Sequence, residues 1–254
     1  MQSNTLKAKL AAGETTYGVF TRYPDATLVE VLTFAGWDFI VFDGEHGTIE
    51  PRDCEQMVRA AELRGVTPIV RATTNSPPVI LRYMDTGAHG LHVPWVNAAH
   101  EAEAVVQATK YGPRGMRGLA GIRAADYGLS GTLAEYTRFA NEQTLVIVHI
   151  ETAEAVAAAE AIANTDGVDV VFIGPTDLSH SYGQPGDPGH SDVQAAMRHV
   201  IDAVARSGKV LGTMVPNAEA AREWHQRGAR YITVNLEALL VPAARNFLSG
   251  ARAP

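Results

Sequence analysis

The chain is expected to fold as a single-domain α/β protein, a (β/α)8 TIM barrel, and three observations predict it. Short β-rich apolar runs alternate with longer segments whose apolar residues recur at helical spacing. The alternation persists from residue 16 almost to the C-terminus. The length, 254 residues, holds about eight such units, as a barrel of this type requires. An open doubly wound sheet is the competing architecture, but no Gly-x-Gly-x-x-Gly follows the first apolar run, where a dinucleotide fold needs it.

Taken in order, a strand at 16–20 leads into a helix over 25–35, and a continuous apolar strand at 39–42 into a helix over 51–64. Strands at 67–71 and 90–94 are followed by helices over 78–86 and 98–110. In the second half, strands at 145–151, 168–173, 209–215 and 231–235 alternate with helices over 153–164, 192–207 and 218–227. Two glycine-rich irregular stretches, 112–131 and 174–191, follow element ends and are expected to be working loops within one domain spanning 1–254.

Composition limits the function. A hydrophobic fraction of 46% with 19% charged residues excludes a disordered chain. The formal net charge is −7 and no basic cluster offsets it, so no nucleic-acid partner is expected. Cys54 is alone and cannot form an intrachain disulfide, residues 1–14 contain no apolar signal core, and no run is long enough to span a bilayer. A cytoplasmic enzyme acting on small molecules, with no membrane partner, is the expectation.

In a barrel the chemistry sits at the C-terminal ends of the strands. The second strand runs directly into Asp43-Gly44-Glu45-His46-Gly47, and the third ends in Arg71. The fifth ends His149-Ile150-Glu151, and the sixth leads into Gly174-Pro175-Thr176-Asp177. Strand alternation puts Ile147, His149 and Glu151 on one face, with Val148 and Ile150 turned to the helices. Two readings of Glu151 and Asp177 are open. Neighbouring strand-end carboxylates repel each other unless a divalent cation satisfies both, and oxygen ligands favour Mg²⁺ or Mn²⁺; alternatively each carboxylate only caps a following helix.

His46 near Asp43 suits a general base, against the plainer reading of a turn. Arg71 is either a rim ion pair or a fixed cation aimed at an oxyanion. The segment Gly174-Pro175-Thr176-Asp177 leaves backbone N–H groups at a helix start, which could seat a carboxylate. His92 alternates with Gly90 and could face the interior. The four lysines, Lys7, Lys9, Lys110 and Lys209, all lie away from strand C-terminal ends, so neither a Schiff-base lysine nor pyridoxal phosphate is expected. No nucleotide-binding P-loop or Gly-x-Ser-x-Gly elbow occurs.

The ordered set Phe42-Asp43-Gly44-Glu45-His46-Gly47, Pro68-Ile69-Val70-Arg71, Asp85-Thr86-Gly87-Ala88, Arg114-Gly115-Met116-Arg117-Gly118, Ile150-Glu151-Thr152 and Phe172-Ile173-Gly174-Pro175-Thr176-Asp177-Leu178-Ser179 resembles the HpcH/HpaI aldolase family. These are metal-dependent class II pyruvate aldolases, among them 4-hydroxy-2-oxoheptanedioate aldolase and 2-dehydro-3-deoxyglucarate aldolase. The resemblance implies reversible cleavage of a 4-hydroxy-2-oxoacid to pyruvate, or a close 2-oxoacid such as hydroxypyruvate, and an aldehyde. It implies Glu151 and Asp177 as ligands of Mg²⁺, Mn²⁺ or Co²⁺, Arg71 as the enolate-stabilising cation, and His46 oriented by Asp43 as the base. It further implies backbone groups at Thr176 and Asp177 against the pyruvate carboxylate, Glu45 and Asp85 near metal-bound water, and a hexamer of dimers that exchange the last helix, here 239–248.

The family commonly has glutamine where His149 stands; a histidine there could bond to substrate or join the ligands. Arg22, Tyr23 and Arg123 are candidate aldehyde contacts. Two enzyme alternatives are weighed: a coenzyme A thioester lyase or synthase, which wants a basic surface for the nucleotide, and a metal-dependent hydrolase, which wants a His-rich ligand set.

Overall fold

The computed structural model describes residues 2–253 as eight parallel strands closed into a barrel in sequence order, the last paired with the first. A short helix, α1 (Thr5–Ala11), precedes β1 (Thr16–Thr21), followed by α2 (Ala26–Thr33), β2 (Phe39–Asp43), α3 (Pro51–Glu62) and β3 (Thr67–Arg71). Next come α4 (Pro77–Met84), β4 (Gly90–Val93), α5 (Ala99–Thr109), a 3-10 turn at Arg123–Gly128 and α6 (Leu133–Gln143). The remainder is β5 (Leu145–Ile150), α7 (Ala153–Ala157), α8 (Ala159–Ala163), β6 (Val170–Ile173), α9 (Pro175–Ser181), α10 (Ser191–Ser207), β7 (Val210–Met214), α11 (Ala218–Gln226), β8 (Tyr231–Asn235) and α12 (Leu236–Ala251).

All eight expected strands form. The single helix expected over 153–164 is two short helices joined at Ala158. Helices α1 and α6 were not expected from the sequence. Helix α6 starts on a capping box, in which Thr132 and Glu135 satisfy each other's backbone N–H groups.

Strand alternation divides the apolar residues into two cores. Val19, Ile40, Phe42, Val70, Leu91, Val148 and Ile150 face the surrounding helices. Phe20, Phe39, Val41, Ile69, Ile147, Phe172 and Tyr231 fill the barrel interior, joined by Leu6 and Leu10 of α1. Each side chain fully buried this way contributes about 1.5–3 kcal/mol of transfer free energy. Because α1 lies before the N-terminal end of β1 and sends both leucines into the interior cluster, it stoppers that end of the barrel. The interior is crowded enough that a Cβ at Gly18 would collide with the Phe39 ring.

Helix α12 is the exception to this packing. Leu240, Val241, Phe247 and Leu248 are exposed along it. Among the described residues no helix is long and apolar enough to cross a membrane.

Candidate active site

Strand geometry brings most of the expected residues into one place. A cavity of about 560 Å³ is lined by His46, Arg71, His149, Glu151, Gly174, Pro175, Thr176 and Asp177, with Phe20, Arg22, Met214, Pro216 and Asn235 among its other walls. It opens at the C-terminal ends of the strands, as a barrel site should. None of the four lysines lines it.

Arg71 is the electrostatic centre. It is the residue paired in register with Asp43 on the adjacent strand, and the two side chains meet in a bidentate pair, Nε to Oδ1 at 2.8 Å and Nη2 to Oδ2 at 2.6 Å. Nη1 lies 2.8 Å from Glu45 Oε2, an ion-pair contact without hydrogen-bond geometry, since that oxygen has no hydrogen-bond partner. Burial works against the charge on both members of the bidentate pair. Mutual bonding outweighs it, holding Asp43 below the ordinary carboxylate range and Arg71 above its usual value.

Asp43 Oδ1 also accepts from the backbone N–H groups of Glu45 and His46, at 3.1 and 3.2 Å. Asp43 thus contacts His46 through the main chain and not through its imidazole: it shapes the loop that carries the ring, while its carboxylate is committed to Arg71.

Glu151 is 2% exposed and each of its oxygens accepts one hydrogen bond. Oε1 accepts from the Trp95 backbone N–H at 2.7 Å, and Oε2 lies 3.1 Å from His149 Nδ1. Trp95 adopts φ 56°, a left-handed conformation that a bulky residue reaches only under strain, and it aims its N–H at the carboxylate. Its indole N–H reaches Glu45 Oε1 at 3.1 Å, which ties the two glutamates to one residue.

The glutamates differ in charge preference. Burial pushes Glu45 up, above the ordinary glutamate value despite Arg71. Burial also pushes Glu151 up, but His149, the Trp95 N–H and Arg71 hold it lower than usual, so it stays ionised.

The helix-capping reading fails for Glu151, because Thr152 is the residue that caps α7, accepting from Ala155 N. Asp177 sits in the first turn of α9, whose cap makes no side-chain hydrogen bond, and its side chain lines the cavity.

Three expectations are corrected. Asp85 does not reach this site within the chain. It follows α4 at the opposite end of the barrel, and its carboxylate pairs with Arg117 at 2.8 Å. His149 has no nitrogen left for a substrate, because Nδ1 faces Glu151 and Nε2 lies 2.8 Å from His92 Nδ1. Trp95 was missed, since the positive φ that makes it useful leaves no mark in the sequence. Arg123, a candidate aldehyde contact, lies away from this cavity and pairs with Glu62.

An ionised carboxylate whose oxygens each accept one hydrogen bond keeps a lone pair on each for a cation. Among the described residues no three His, Cys, Asp or Glu side chains gather as a ready-made cage. As oxygen donors lining one cavity, Glu151 and Asp177 are suited to a hard divalent ion, whose remaining oxygens would have to come from elsewhere.

Comparison with known proteins agrees with this chemistry. The sequence profile described as HpcH/HpaI aldolase/citrate lyase matches residues 16–242. A hydroxypyruvate/pyruvate aldolase of Sagittula stellata is 36% identical over 245 residues, covering 96% of both chains. A 4-hydroxy-2-oxovalerate aldolase of Rhodococcus jostii is 38% identical, covering 95% of this chain and 93% of the relative. The crystal structure of an HpcH/HpaI aldolase/citrate lyase family protein from Burkholderia cenocepacia superposes with a TM-score of 0.94 at 35% identity, covering 99% of this chain and all of that one. Members of this family generally depend on a divalent metal. The barrel, the strand-end site and these likenesses together make the chain a carbon–carbon lyase of the class II aldolase type, belonging to the HpcH/HpaI aldolase/citrate lyase family.

Proposed function

We propose that the chain cleaves, and in reverse forms, a 4-hydroxy-2-oxoacid, with pyruvate or a close 2-oxoacid such as hydroxypyruvate as one product and an aldehyde as the other. The observation that carries this reading is the convergence of Arg71, Glu151, Asp177 and His46 on one cavity at the strand ends.

Glu151 and Asp177 would hold a divalent ion such as Mg²⁺, Mn²⁺ or Co²⁺, which when bound supplies positive charge to the oxygens of the 2-oxoacid. In the cleavage direction His46 takes the proton from the C4 hydroxyl, the C3–C4 bond breaks, and its electrons move into the C2 carbonyl. The Arg71 guanidinium, fixed by Asp43, faces the oxygen on which charge develops and is worth most there because the site is buried. Protonation at C3 completes the 2-oxoacid. Backbone groups at Thr176 and Asp177, opening α9 after Gly174 and Pro175, suit the substrate carboxylate. Glu45, linked to Arg71 and Trp95, steadies the rim.

We also read α12 as the element that a second copy of the chain covers, in a hexamer built from dimers; its exposed apolar residues support this.

Incubation with pyruvate in D₂O, with and without Mn²⁺ or Mg²⁺, tests the proposal by NMR of the methyl protons. Metal-dependent exchange is expected; a folded sample that exchanges no protons with any metal overturns it.

A further inference from the structure

Beneath Glu151 runs a line of hydrogen bonds that the reaction above leaves unused. Glu151 Oε2 lies 3.1 Å from His149 Nδ1, His149 Nε2 lies 2.8 Å from His92 Nδ1, and His92 Nε2 lies 2.7 Å from the Tyr231 hydroxyl. All four residues are at most 2% exposed. Aromatic rings fix their orientation: Phe172 stacks on His149 with centroids 4.6 Å apart, Phe20 meets His92 edge-on at 5.3 Å, and Phe39 stacks on Tyr231 at 4.3 Å.

A neutral imidazole has one donor nitrogen and one acceptor nitrogen, so the line has two possible polarities. In the first, the Tyr231 O–H donates to His92 Nε2, His92 Nδ1–H donates to His149 Nε2, and His149 Nδ1–H donates to Glu151. Every polar atom along it is satisfied. In the reverse, a lone pair on His149 Nδ1 faces a carboxylate oxygen, and the Tyr231 O–H has no acceptor among the described residues. Orphans of this kind are costly in a dry interior. A proton on both nitrogens of His149 leads to the same stranded hydroxyl.

We propose that Tyr231 is a positioning residue for Glu151: by donating to His92 it fixes both imidazoles with their proton on Nδ1, so that His149 serves Glu151 as a permanent donor and keeps no nitrogen free to bind a metal. The line is a lock and not a proton wire, because Tyr231 is enclosed by rings and has nothing beyond it to exchange with. Burial also pushes its hydroxyl well above the ordinary tyrosine value.

The tautomer assignment stands on the geometry alone; its consequence for metal binding rests on Glu151 being a ligand, as read above. The test is a long-range ¹⁵N–¹H spectrum of the full chain labelled with ¹⁵N-histidine, without added metal, with His149 and His92 assigned by signal loss in His149→Gln and His92→Gln. Both rings are expected as Nδ1–H tautomers. Tyr231→Phe should convert His92 to a tautomer mixture and weaken Mn²⁺ binding, read by electron paramagnetic resonance, by about threefold to tenfold. In the His149→Gln background, where the amide donates whatever Tyr231 does, the same change should alter Mn²⁺ affinity less than about twofold.

Either ring found as Nε2–H in the unaltered protein overturns the proposal. So does Tyr231→Phe leaving His92 a single Nδ1–H ring, or shifting Mn²⁺ affinity equally in both backgrounds. Should Tyr231→Phe not fold, the unaltered protein's spectrum decides. Nδ1–H rings in a protein that binds no Mn²⁺ would leave the Tyr231 assignment standing and remove the metal reading.

Discussion

Asp43 and Arg71 share two parallel hydrogen bonds, 2.8 and 2.6 Å long, across adjacent strands in a nearly dry environment. The aspartate therefore fixes the plane of the guanidinium that faces the cavity. Lysine cannot reproduce a bidentate fork. Arg71→Lys is expected to lower kcat by about 10²–10³-fold, measured as aldol cleavage under saturating metal.

Removing the other partner takes both hydrogen bonds from a buried cation and leaves it only the Glu45 ion-pair contact. Asp43→Ala is expected to destabilise the fold by about 3–5 kcal/mol, read from urea unfolding. Because Asp43 is held below its unfolded value, its stabilisation is present above about pH 4 and is lost as pH falls through the folded value. The stability gap between the unaltered protein and Asp43→Asn should therefore be widest near neutrality and should close in acid.

His46→Gln is expected to lose cleavage activity by about 10²–10⁴-fold while Mn²⁺ affinity stays unchanged, because the imidazole is assigned to proton transfer and not to ligation. Normal turnover by this variant, followed by product release, would show that another group is the base.

Gly174 has an ordinary φ of −94°, but a Cβ there would lie 2.8 Å from Glu151 Oε2. Gly174→Ala should displace the carboxylate and weaken Mn²⁺ binding by about tenfold, with the melting temperature little changed. Isothermal titration of metal into both proteins checks it.

Lys110 is buried near the end of α6 and contacts the Asn141 and Thr144 carbonyls at 2.9 and 2.6 Å. Burial, with Lys7 nearby, pulls its ammonium down to about 7. Between there and the ordinary lysine value the unfolded chain carries a proton that the folded one lacks, so folding stability rises with pH. The neutral amine still has two N–H groups for its two carbonyls. Relative to Lys110→Met, the unaltered protein should gain up to about 1.4 kcal/mol per pH unit above neutrality, measured by urea midpoints.

The eight strands were legible because continuous apolar runs such as Phe39-Ile40-Val41-Phe42 have few other uses in a chain of this size. The placement of Glu151 followed from period-two alternation, which the split between Ile147 inside and Ile150 outside confirms. Helix α1 was illegible because only Leu6 and Leu10 carry its burial, and its partners come from strands far away in sequence. Helix α6 was obscured by the glycine-rich stretch before it. Within the site, Asp43 was assigned to the nearby His46, whereas cross-strand register gives it Arg71, 28 positions on. Trp95 and Tyr231 could not be read because their roles depend on a backbone angle and on a ring-to-ring line that exist only in the closed barrel.

The stopper formed by α1 has a kinetic consequence. With Leu6 and Leu10 filling the far end, the cavity is a blind well, and everything that enters or leaves uses one mouth. Two fragments born in a blind well depart in order of depth. If the proposed reaction runs here, the fragment held against Arg71 and Glu151 would be the last out, release would be sequential, and the outer product in excess would trap the inner one.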